Sequence, residues 1–259
     1  MRTSAYVLSL LASTMISGIG NALDPSGETV GVNPDAQANG VTGMRVVEIK
    51  GPIFTGDTIT TDTRGQVQIL FVDDTKFVVG ANSKVTIDAF VFDADKTAQD
   101  VSITAVKGAF RFITGNSPKQ NYLIRTPTMT IGVRGTSLDL SVRAGTGESI
   151  VITHEGATDL CDLIHRCMEG NAGSMVVASE SGLESVPDGA DRNQRLAAYF
   201  PLLGARLQPG FEVPLAASFH QTQQFQPIHR THSTSSSPTP PPPPPPPPPP
   251  SPGDGRPRR

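Results

Sequence analysis

Five histidines, two cysteines and an arginine set among glycines are the residues of this chain whose types and spacing bear on chemistry. His220, His229 and His232 fall in a low-complexity tail where no packed shell would orient them, leaving His154 and His165. The sequence has no G-x-S-x-G, no phosphate loop of the G-x-x-x-x-G-K-[ST] form, and His154-Glu155 lacks the second histidine of a zinc-protease helix. Asp93 and Asp95 open like a calcium loop, but Thr97 and Ala98 occupy its fifth and sixth positions, so a solvated turn is expected. The residues therefore predict a protein that is not an enzyme and has no cofactor. Arg134 follows Gly132 and precedes Gly135; with Arg125 it is a candidate binding cation, its planar fork suited to a carboxylate or phosphate. The competing role for Arg134 is internal, pairing with a structural Asp or capping loop carbonyls. Phe90 and Phe92 are interface aromatics if Ala89 and Val91 face the core, and core residues if they do not; alternation alone does not choose the face.

The elements that must position these residues are strands. Phe110 and Phe112 alternate with Arg111 and Ile113, and Leu138, Leu140 and Val142 alternate with Asp139, Ser141 and Arg143, the period-two pattern of half-buried strands. Between them Pro127 edges a strand, and the glycines around Arg134 permit a bulge or a positive-φ turn. Upstream, Val67, Ile69 and Phe71, then Phe77 to Val79, then Val85 and Ile87, are separated by turn signals about every ten residues. No stretch before residue 185 suits a helical crossover, which argues for an antiparallel β-sandwich or β-roll. GANSKVTIDAFVFD, KGAFRFITG and IRTPTMTIGVRGT, in this order and spacing, resemble the FecR-domain family over roughly residues 55–145. The resemblance implies an all-β envelope domain; the family's best-known members sense a ligand-loaded outer-membrane receptor and signal to a sigma factor. Those regulators carry a cytoplasmic segment and a membrane span before the domain, and neither is visible in this sequence.

Arg2, the apolar run from Tyr6 to Ile19 and the small residues Gly20, Asn21 and Ala22 read as a signal peptide, 1–22, which predicts export to the periplasm or cell surface and no membrane span after cleavage. In that oxidising setting Cys161 and Cys167 are expected to pair and pin a hairpin loop. A metal site built from Cys161, Cys167, His165 and His154 matches no common zinc spacing, so no metal is expected. Residues 23–43, rich in Gly, Asn, Pro and Asp, read as a leader or linker, 44–145 as the FecR-like β domain, and 146–213 as a β-hairpin extension with one short helix. That helix is expected over Asp188–Leu203, capped by Asp188, with Leu196, Phe200 and Leu203 on one face. Residues 214–259 read as a disordered Gln/Ser/Pro-rich tail whose unbroken Pro240–Pro250 run would form a stiff rod of roughly 35 Å. A net charge of −3 without a basic stripe argues against nucleic acid as the partner. The expected partner is a cell-envelope protein or a surface polymer; the alternative is a structural envelope protein that uses the proline rod as a spacer.

Overall fold

Alternation of apolar and polar side chains produces fifteen strands and one α-helix among the described residues of the computed structural model, which are 24–33, 35–92, 98–201 and 207–212. The chain divides into two units, Met1–His220 and Gln221–Arg259, and the described residues all belong to the first. The expected signal peptide, the solvated turn expected at Asp93 and Asp95, and the proline-rich tail lie outside them. The strands are β1 (Gly27–Asn33), β2 (Ala36–Gly40), β3 (Gly43–Val46), β4 (Pro52–Ile53), β5 (Thr58–Thr61), β6 (Gln66–Phe71), β7 (Lys76–Val79), β8 (Lys84–Phe92), β9 (Ala98–Ile113), β10 (Tyr122–Arg125), β11 (Met129–Val142), β12 (Ser149–Asp162), β13 (Cys167–Asn171), β14 (Met175–Ser179) and β15 (Gly182–Ser185), followed by α1 (Ala190–Tyr199).

Three long strands belong to two sheets at once. Residues 108–113 of β9, 137–142 of β11 and 149–155 of β12 form the middle of a first sheet in the order β15-β14-β12-β11-β9-β7-β6-β1-β4. The other halves of the same strands, 98–107, 129–134 and 157–162, form the middle of a second sheet in the order β13-β12-β11-β10-β9-β8-β5-β2-β3. All pairings are antiparallel except β9 with β10, which is parallel, so the expected all-β sandwich carries one parallel step. The strands turn the corner at Gly108, Gly135 and Gly156, each at positive φ. A Cβ at Gly108 would collide with the Ser83 side chain, and one at Gly156 with the Gly135 carbonyl oxygen, so the corner closes only around bare backbone.

Folding one strand system over itself makes a sandwich-like core. Phe71 of the first sheet stacks on Phe90 of the second with ring centroids 3.9 Å apart, and Phe112 meets Tyr122 edge-on at 5.7 Å. Phe90 and Phe92 are thus core residues rather than an interface pair: Phe90 is 5% exposed, and half-buried Phe92 packs beside it at 5.5 Å. The cause is an irregularity between Ile87 and Ala89 that shifts the alternation by one residue, so the buried set runs Val85, Ile87, Phe90. Residues 24–43, read from composition as a leader, supply β1 and β2, because β1 completes the first sheet beside β6 and Ala36 and Ala38 enter the core.

The outer face of the first sheet is covered. Phe200, at the end of α1, packs with Ile150, Ile152, Met175, Val177 and Val186, while Phe211 packs with Val78 and Ala109. The helix is shorter than expected; it ends before Pro201, Gly189 rather than Asp188 stands at its start, and Leu203 lies outside the described residues. Beneath this cover Arg111 binds Asp139 bidentately at 2.7 and 2.8 Å, His154 lies 3.3 Å from Asp139, and Arg111 also donates to the Phe211 carbonyl at 3.4 Å. Burial pushes the Asp139 carboxyl up, but the bonds from Arg111, with His154 beside it, outweigh that and hold it below the usual carboxylate range. Because the folded-state value is depressed, this contribution to stability is present above the unfolded carboxylate value and is lost as pH falls through the folded one. Urea titrations should therefore show stability declining below about pH 4. Asp139→Asn should flatten that decline and cost about 3–5 kcal/mol at neutral pH, since it strands the Arg111 charge.

Candidate functional site

Directly paired residues across a sheet lie on the same face, so the register of the second sheet decides what its outer face displays. One row runs from edge to edge: Met44, Asn39, Thr58, Thr86, Thr104, Arg125, Thr130, Cys161, Cys167. The neighbouring row, which includes Ile87, Ile103, Ile124, Ile131 and Leu160, faces the core. The Ile–Thr and Ile–Arg neighbours along each strand thus build a dry inner surface and a hydroxyl-lined outer one. Thr58 and Thr86 hydroxyls are 3.0 Å apart, and Thr104 donates to Asp88 at 2.6 Å. Arg125 stands exposed in the row between Thr104 and Thr130.

Arg134 shares this face one turn of the pleat beyond Gly132. Its guanidinium pairs with Asp159 on β12 and lies 3.5 Å from Glu169 on β13, all three side chains about half exposed. Of the two roles open to it, the structure displays the internal pairing, while leaving the group at the surface. The corner beside it depends on Gly135, as its positive φ shows; Gly132 lies within the regular pairing with Leu123 and Asp159.

At the β13 border the row ends in the Cys161–Cys167 disulfide. With both sulfurs bonded to one another and His154 buried beside Asp139, the alternative Cys/His metal set is not assembled. The loop the disulfide closes is held from within: Asp162 accepts the backbone N–H of Ile164 at 3.1 Å and of Arg166 at 2.9 Å, and the Arg166 guanidinium at 2.7 Å. Although burial acts upward on Asp162, these donors hold its carboxyl below the usual range. The tip so fixed presents Leu163 and Ile164, 68% and 71% exposed, in rigid form. The threonine row and this apolar tip were not singled out from the sequence. The strands each carried the alternating dipeptide, and the loop its Leu-Ile pair, but alignment into one surface is a property of register.

Residues 57–158, spanning this face and the corner, match the family model described as FecR protein. Over these residues the chain is similar to a FecR domain. The FecR family is regulatory and non-catalytic, and its members are usually associated with the cell envelope. Two crystal structures of a proposed anti-sigma factor from Parabacteroides distasonis are similar at 14% identity and a TM-score of 0.41, over 54% of this chain and 64% and 63% of theirs. The chain thus spans less than two thirds of the length of those structures. No curated protein sequence matches it. Among the described residues no helix is long and apolar enough to cross a membrane.

Two substitutions at the FecR corner separate backbone from side-chain demands. Arg134→Ala should change unfolding free energy by less than about 1 kcal/mol, as half-exposed ion pairs do. Gly156→Ala should cost more, about 1–3 kcal/mol from the positive φ alone and further from the clash with Gly135. Chemical denaturation of both variants checks the contrast; equal losses would contradict it.

Proposed function

We propose that this protein is an exported, non-enzymatic FecR module that recognises another cell-envelope protein through the open outer face of its second sheet. The observation that carries the reading is the inequality of the two outer faces. The first is packed over by Phe200 and Phe211, whereas among the described residues the second is left as a flat row of hydroxyls and Arg125, bordered by a rigid apolar tip. Hydroxyls on a fixed sheet bind without the entropy loss of long side chains, and Leu163 and Ile164 supply the apolar anchor that polar contacts alone lack. A disulfide at this border suits an oxidising compartment. Signalling from such a module passes through a partner that spans the membrane.

The test is crosslinking in living cells with an internal tag near Gln37, comparing the wild type with a Leu163→Asp/Ile164→Asp variant. Capture of one membrane-spanning protein, falling at least about tenfold in the variant while its fold is retained, is the expected result, corresponding to about 1.4 kcal/mol. Capture of wall polymer or outer-membrane structural proteins, indifferent to the tip but lost on deletion of residues 214–259, would replace this reading with the spacer role.

A further inference from the structure

The edge of the second sheet opposite the disulfide is β3, which pairs with β2 alone among the described residues. Its register fixes where its free hydrogen-bonding groups point. Ala38 lies opposite Arg45, and the Val47 N–H donates to the Ala36 carbonyl at 3.0 Å. Because bonding alternates along an antiparallel ladder, Arg45 and Val47 turn their backbone groups towards β2, whereas Met44 and Val46 turn theirs outward. The side chains at these same two positions are 73% and 67% exposed, and Val41 and Ile49 beside the strand are 65% and 61% exposed. A sheet edge with unpaired backbone and apolar side chains at the same residues is a template for another strand.

We propose that β3 is a self-association edge, through which two copies of this chain pair antiparallel about a two-fold axis at Arg45. The register is its own complement: Met44 of one copy faces Val46 of the other, and Val46 faces Met44, so both outward bonding pairs and both apolar cross-strand pairs form together. The charge at the centre does not oppose this. Each Arg45 is already held by its own buried Asp57, with Nη1 to Oδ1 at 2.9 Å, donates to the Pro52 carbonyl at 2.9 Å and lies 5.4 Å from the Phe54 ring centroid. Neither Lys nor Pro, the residues that usually blunt such edges, lies within β3. A different partner would need to bring the alternating apolar pattern that this strand already supplies to itself. Four residues of strand and two flanking side chains bury less than the roughly 1,200 Å² of a standard interface, so the dimer is weak and forms with concentration. Pairing would extend the second sheet across both copies and set their outer faces side by side.

The purified exported protein should sediment as a monomer at about 5 µM and shift towards dimer at about 500 µM, the range for a dissociation constant of roughly 100 µM. Across the same range the Met44 and Val46 amides should exchange more slowly with solvent, while those of Arg45 and Val47, already bonded within the chain, should not change. A Met44→Lys/Val46→Lys variant should stay monomeric with an unchanged circular-dichroism spectrum. A protein monomeric throughout, a dimer that persists in the variant, or a wild-type dimer with unaltered Met44 and Val46 exchange would each overturn the proposal. The exchange measurement needs no variant and decides the matter if the double substitution does not fold.

Discussion

The constraint on which this structure depends is the close approach of backbone at the corner shared by β9, β11 and β12. Each strand serves two sheets, and each can do so only if it bends where its neighbour bends. At Gly156 the crowding atom is the carbonyl oxygen of Gly135 itself, so the turn of one strand is the space into which the next must turn. From this corner follow the single core between the halves, the stack of Phe71 on Phe90, and the existence of two outer faces with separate fates.

Those fates are set by side-chain type. On the first sheet the outward residues of β12 and β14 are apolar and need a cover, which α1 and the segment around Phe211 provide. The buried Arg111–Asp139 pair lies under that cover and ties it down through the Phe211 carbonyl, so the cover is specified as well as driven by apolar burial. On the second sheet the middle of the outward row is Thr58, Thr86, Thr104, Arg125 and Thr130, polar residues that are satisfied at the surface and need none. A sheet face uncovered among the described residues, with a disulfide-fixed apolar tip at one border and an edge strand at the other, is suited to association.

Much of the fold was legible because it rests on local alternation. The strands around Phe110, Leu138 and Val67, the cysteine hairpin and the presence of the helix follow from period and spacing. What escaped is non-local. Residues 24–43 look like a leader by composition, yet Ala36 and Ala38 are core residues because β2 is paired on both sides by distant or successive strands. Phe90 could not be assigned to a face because a one-residue shift near Asp88 reverses parity midway through β8. Arg134 was visible as a cation among glycines, but its partners Asp159 and Glu169 lie on other strands. The threonine row is the extreme case: each member is visible next to its apolar neighbour, and only the register of eight pairings aligns them.

The inequality of the two outer faces is tested most directly by photo-crosslinking amino acids placed one at a time at Thr86, on the open face, and at Glu184, exposed on β15 of the covered sheet. In living cells the account predicts a partner adduct from Thr86 and none from Glu184. An adduct from Glu184 with none from Thr86 would contradict it and move the binding surface to the first sheet.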